Sequence, residues 1–142
     1  MTGIASNQLR SAFVAESTAG TTPSSPSFTT SDVPINMTAA PNVIEHRSLA
    51  AKGEAVETAI AGIDVTGNMS GTLVYGAYDP FLESLLQGAY STNVLKSAKT
   101  TKSFTVENAI SAGVGGTLTM MRYTGVEASS GSITLASNAE IG

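Results

Sequence analysis

The sequence contains no cysteine and no tryptophan, a single histidine, and few charges of either sign. Without cysteine there is no disulfide framework, no thiolate metal site and no cysteine nucleophile. With His46 as the sole histidine, a histidine zinc site is excluded, and a Ser-His-Asp triad has only that residue to be built on. Lys and Arg total 7, too few for a nucleic-acid footprint that must neutralise several phosphates. No apolar run approaches the ~18 residues that a transmembrane helix needs. Met1 is followed by Thr-Gly-Ile-Ala-Ser-Asn-Gln, with no basic and then apolar stretch of the secretory kind. The expectation from that opening is an intracellular origin.

What the chain does have is small and neutral. Its 142 residues include 18 Ser and 18 Thr, and only 13% are charged, about half the ~25% of an ordinary soluble domain. The net charge is −4. Disorder throughout is disfavoured, because it goes with high net charge and few β-branched residues. A single domain over 1–142 is the expected organisation, long enough to bury a core without staples. A β-rich domain whose surface avoids charge fits these counts.

Alternation is the strongest local signal. Residues 8–16 read as a strand, with Leu9, Phe13 and Ala15 on one face and Arg10, Val14 and Glu16 on the other. Residues 17–41 carry Pro23, Pro26, Pro34 and Pro41 and few charges, which predicts a long extended arm or loop. Over 57–75 the odd positions are Ala59, Ala61, Ile63, Val65, Gly67, Met69, Gly71, Leu73 and Tyr75. Thr58, Asp64, Thr66, Asn68, Ser70 and Thr72 lie between them, with Ile60, Gly62 and Val74 as exceptions. Period 2 sustained this far predicts a long half-buried strand, or two strands with a sharp bend, the glycines marking bends, bulges or close backbone approach.

One helix is predicted over 79–88. Asp79 is placed to cap it, Pro80 suits its first position, and Leu82, Leu85, Leu86 and Ala89 form an apolar stripe. Gly88 marks its end. Further strands are predicted at 93–98, 102–110, 117–128 and 132–137. The turns between them lie at Lys99–Thr101, at the Gly113-Val114-Gly115-Gly116 segment, and at Ser129-Ser130-Gly131. The fold class is therefore mainly β: a barrel or sandwich of six to seven strands, one short flanking helix and a long N-terminal arm.

Candidate chemistry is sparse. His46, in Glu45-His46-Arg47, has no nucleophile or orienting acid signalled beside it, so it reads as a surface or interface histidine. The glycines at 113, 115 and 116 lack the Gly-Lys-Ser/Thr that makes a phosphate loop. No Gly-x-Ser-x-Gly elbow occurs. Lys96, Lys99 and Lys102 read as a solvated edge that resists strand pairing. No catalytic residue, cofactor or metal is expected. A long alternating strand, a Pro/Ser/Thr arm and scarce charge instead suit a subunit that buries much of its surface in an assembly.

Four stretches in one order carry a family resemblance. They are Gln8–Arg10 with Ala15-Glu16-Ser17-Thr18-Ala19-Gly20-Thr21-Thr22-Pro23; Val65-Thr66-Gly67-Asn68-Met69-Ser70-Gly71-Thr72-Leu73; Tyr78-Asp79-Pro80-Phe81-Leu82-Glu83-Ser84-Leu85-Leu86-Gln87-Gly88; and Lys102-Ser103-Phe104-Thr105-Val106-Glu107 with Tyr123-Thr124-Gly125-Val126. Together they resemble the tail tube proteins of long-tailed phages. The resemblance implies a non-enzymatic virion subunit, assembled in the host cytoplasm into hexameric rings that stack into a hollow tube. Its implied partners are other copies of itself, the tape-measure protein and tail terminator or tip proteins, with no membrane. DNA would pass through the bore without specific binding. Family members are often longer, so the chain is expected to be either a short member or the N-terminal part of a longer subunit.

Residue roles follow as expectations. Asp64, Thr66, Asn68, Ser70 and Thr72 would line the bore, where fixed cations would hold phosphate and retard passage. Ile63, Val65, Met69 and Leu73 would face the subunit core with Leu82, Leu85 and Leu86. The 17–41 arm, through Thr21, Thr22, Pro23, Pro26 and Phe28, would bridge to a neighbouring subunit or ring. The alternative reading is a β-sandwich binding module on a virion or cell surface, against which the absence of tryptophan argues.

Overall fold

The computed structural model describes residues 9–46, 57–111 and 118–134. Among them are eight strands and one helix, so the chain is mainly β, as the alternation predicts. The sheets are open, in keeping with a sandwich class of fold. Two compact units divide the chain: Met1–Asp32 with Thr72–Gly142, and Val33–Gly71 between them.

The first unit is built on a four-stranded antiparallel sheet. In chain order its strands are β1 (Leu9–Ala15), β2 (Thr29–Thr30), β7 (Phe104–Ser111) and β8 (Leu118–Val126), arranged β2-β1-β7-β8. The register Phe13↔Val106 and Ala15↔Phe104 puts Phe13, Phe104 and Val106 on one face, because side chains alternate along a strand. Phe13, Phe104 and Val106 are buried there. The helix α1 (Asp79–Leu85) brings Phe81 onto this face, 5.0 Å from the Phe13 ring and 5.2 Å from Phe104. Phe13 and Phe104 meet edge to face at 5.9 Å. Three rings in mutual contact form the centre of this core. Ser11 donates to Asn108 Oδ1 at 2.9 Å across it, so the polar residues admitted there are paired.

The helix is shorter than 79–88, and Asp79 is its first residue; Tyr78 is the cap, with no side-chain capping bond. Its C-terminus closes in a Schellman pattern. Gly88 N–H donates to Glu83 O and Gln87 N–H to Ser84 O, and Gln87 takes the left-handed φ of +51° that glycine usually supplies. Gly88 is required for another reason: a Cβ there would stand 2.1 Å from the Lys96 carbonyl oxygen.

Three predicted strands are revised. Over 93–98 only Val94–Leu95 is strand (β6), paired with β5 (Tyr90–Ser91). Thr92 and Asn93 form the two-residue turn, both with positive φ. Beyond Leu95 the chain leaves β pairing because Ala98 and Thr100 donate back to the Leu86 and Gln87 carbonyls. No strand forms over 127–134, since Ala128 N–H is taken by Ser84 Oγ at 3.2 Å. Residues 135–137 and the Gly113–Gly116 segment lie outside the described residues. The long strand predicted to Tyr75 stops at Met69; the chain turns instead at Val74–Ala77, with Gly76 at φ +79°.

The second unit is a single antiparallel hairpin of β3 (Ile35–His46) and β4 (Glu57–Met69). Residues 35–41, read with the arm from sequence, are therefore strand. Pro41 is tolerated because β3 pairs with β4 alone, leaving an open edge toward which a nitrogen without hydrogen can face.

Candidate assembly surfaces

The hairpin is amphipathic across both strands. Directly paired residues share a face, so the register Ile35↔Met69, Met37↔Gly67, Ala39↔Val65 and Pro41↔Ile63 collects an apolar face. The intervening pairs Asn36↔Asn68, Thr38↔Thr66, Ala40↔Asp64 and Asn42↔Gly62 make a polar one. One bulge interrupts the ladder: Asn42 pairs with Gly62 but Val43 with Ile60, leaving Ala61 as the extra residue. The bulge shifts the parity of β4. Ile60, the exception in the sequence alternation, is thereby returned to the apolar face beside Val43. Gly67 permits close approach of the strands, since a Cβ would lie 2.9 Å from the Asn36 carbonyl oxygen.

Much of the apolar face is exposed among the described residues. Ile60 is 70% exposed, Ile63 65%, Val43 51% and Val65 45%, whereas Ile35 at the base of β3 is buried. From Asn36 to Asn42 and their partners the polar face carries one acid, Asp64, and no cation; past the bulge the pairs Ile44↔Ala59 and His46↔Glu57 continue it. Of the bore candidates, Asp64, Thr66 and Asn68 share this face, and all three are exposed. Ser70 and Thr72 follow the end of β4 and are exposed. Of the core candidates, Leu82 and Leu85 are half-buried in the helix, Met69 is half-buried at the end of β4, and Ile63, Val65, Leu73 and Leu86 are exposed. His46 ends β3 opposite Glu57.

The 17–30 segment folds back over the first unit's sheet. The face opposite the phenylalanine core carries Thr105, Glu107 and Arg122. Thr22 Oγ1 lies 3.1 Å from Thr105 Oγ1, Arg122 stacks 5.6 Å from the Phe28 ring centroid while paired with Glu107, and Thr29–Thr30 pair with β1. Arg10 donates to Thr30 Oγ1 at 2.7 Å. Thr21, Pro23 and Pro26 lie in the same segment, and none of residues 17–30 is buried.

Glu16, a strand residue and part of the first resemblance stretch but given no role from sequence, organises this side. Its Oε2 accepts from Gly20 N–H (2.8 Å) and Ser103 Oγ (2.7 Å), and its Oε1 from Thr105 Oγ1 (2.7 Å) and Gly125 N–H (3.0 Å). Burial pushes the carboxyl's pKa up. The bonds from Gly125, Ser103, Thr105 and Gly20 outweigh that and hold it below the ordinary glutamate value. Gly20 and Gly125 both have positive φ, which lets their amides turn toward the carboxylate. No sequence spacing signals this clamp, because its donors lie up to 109 residues away.

Lys102, read with Lys96 and Lys99 as a solvated edge, is bound to Glu83 at 2.7 Å. That bond, with Tyr90 N–H on the other oxygen, holds the Glu83 carboxyl low. Among the described residues no cluster of His, Asp and Glu could hold a metal ion, and no helix is long and apolar enough to cross a membrane. The chemistry on display is that of surfaces: an exposed apolar sheet face backed by a polar one. A family model described as phage tail tube protein matches residues 6–142. A comparison with curated proteins finds no match.

Proposed function

The chain belongs to the phage tail tube protein family, and from that premise we propose that its copies close into hexameric rings which stack into a hollow conduit for viral DNA at ejection. The family is structural and its members are virion components that assemble with other tail proteins. The observation that carries the finer reading is the two-faced β3–β4 hairpin. An apolar sheet face at least 45% exposed at Val43, Ile60, Ile63 and Val65 is a liability in a free subunit and an asset in a wall. Burying it contributes roughly 25 cal/mol per Å² of apolar surface. The opposite face, with Asn36, Thr38, Asp64, Thr66 and Asn68, suits the bore. Over these residues it offers hydroxyls, amides and one carboxylate, and no cation that would exchange counterions for phosphate contacts. Ser70 and Thr72, exposed past the end of β4, are assigned to the bore on the same reading. Low charge over the whole chain fits the same reading, since most of the surface meets other copies.

Negative-stain microscopy of the purified protein tests this. Six-fold rings or tubes are the expected result. A persistent monomer at high concentration contradicts it and favours a surface-binding module instead.

A further inference from the structure

We propose that the 17–30 segment is a displaceable guard on the β1 edge, and that the edge it covers is taken during assembly by β8 of a second copy. This rests on the ring-forming reading above. The four-stranded sheet ends unevenly. At one side β8 offers its full length, Leu118–Val126, with no strand beyond it among the described residues. Leu118, Met120 and Met121 are 49%, 59% and 50% exposed. β8 contains no lysine and no proline, the residues that ordinarily protect an edge. Its one charge, Arg122, is neutralised by Glu107.

At the other side β1, seven residues long, is paired at two positions with β2, through Ala12↔Thr30 and Phe13↔Thr29, and Ser31 N–H donates to the Ser11 carbonyl. The guard is held by polar contacts: Glu16 to Gly20, Thr22 to Thr105, Arg10 to Thr30, and Arg122 under Phe28. None of its residues is buried, and Thr105, the buried residue it meets through Thr22, lies on the face opposite the phenylalanine core, so its release leaves that core closed.

The occupant follows from strand direction. β7 is antiparallel to both β1 and β8, so β1 and β8 run parallel within one copy. Rotation about a ring axis preserves the component of strand direction along that axis, so strands that climb the axis keep their sense from copy to copy. A neighbour's β8 therefore meets β1 as a parallel strand, and the same contact repeats from copy to copy until the ring closes. Seven ladder positions on β1 replace the two held by β2. The guard keeps free subunits from pairing early, and its release hands the 17–30 segment to the neighbour.

A reversible staple tests the exchange. Ser31 N–H to Ser11 O marks 11/31 as a hydrogen-bonded pair, so Ala12 and Thr30 form a non-hydrogen-bonded pair, where Cα atoms sit ~4.5 Å apart, within disulfide reach. The chain has no cysteine of its own, so Ala12→Cys with Thr30→Cys gives one defined bond. Oxidised, the variant is expected to form no rings or tubes; reduced with dithiothreitol, it is expected to assemble. Equal assembly in both states overturns the guard. Hydrogen exchange on the unmodified protein supplies an independent reading: on assembly the Ser31 amide should lose protection while β1 amides gain it. Ser31 protection retained in tubes overturns the proposal even if the stapled variant is silent. If unmodified protein never assembles, the ring-forming reading itself falls.

Discussion

The two units bury their apolar residues in opposite ways. In the first, Phe13, Phe81, Phe104 and Val106 close on one another within a single chain. In the second, the β3–β4 hairpin arranges Val43, Ile60, Ile63 and Val65 just as regularly on one face and leaves them exposed. The same period-2 patterning thus serves two ends. A patterned strand with a partner layer makes a core; a patterned strand without one leaves an exposed apolar face, the surface proposed above for assembly. Subunit stability should reside in the first unit's core, and assembly in the hairpin's apolar face together with the β1 and β8 edges, so substitutions can separate the two.

The largest expected effect is on the first unit. Phe104→Ala removes the ring that touches both Phe13 and Phe81 and should lower unfolding free energy by about 3–5 kcal/mol, read by denaturant titration. Ile63→Ser, an equally drastic change in hydrophobicity, should shift subunit stability by no more than about 0.5 kcal/mol, because the site is exposed, yet abolish tube formation. Equal destabilisation by both would erase the distinction between the units.

Next is the clamp. Glu16→Gln replaces a four-bond acceptor with an amide whose NH₂ opposes donors, and should cost about 2 kcal/mol. The charged form is favoured in the folded state, so its contribution is full above the ordinary value of 4.5 and fades as pH falls below that toward the lowered folded value. The stability difference between wild type and Glu16→Gln should therefore shrink as pH drops through 4.5. A difference independent of pH would mean that the carboxylate's charge is not what holds the clamp.

The smallest effect is at the Lys102–Glu83 pair. Its side chains are 31% and 22% exposed, and Lys102→Met should cost no more than about 1 kcal/mol. A larger loss would place part of the first unit's stability on its rim.

Much of this was legible along the chain. Strands β1, β4, β7 and β8 follow from alternation, and Pro80 with the leucine stripe located the helix to within a few residues. Ile60 was visible as a break in the pattern, but only the pairing of Val43 with Ile60 reveals a bulge that restores the face. β3 was hidden by Pro34 and Pro41, because proline in a strand depends on whether the other edge is open, which is a property of the partner. The Glu16 clamp was invisible for a related reason: two of its four donors are backbone amides, at Gly20 and Gly125, and such groups carry no mark in sequence. Exposure of the hairpin's apolar face was equally unreadable, since alternation predicts burial without saying whose atoms provide it.

Thiol labelling across the hairpin tests the central claim most directly. Ile63→Cys and Asn68→Cys place a unique thiol on the apolar and polar faces, respectively. Both should react quickly with a small maleimide in the free subunit. In assembled tubes Ile63→Cys should become protected, whereas Asn68→Cys should still react with the small reagent but not with one too large to enter the bore. An Ile63→Cys thiol that labels as fast in tubes as in free subunits would contradict the account.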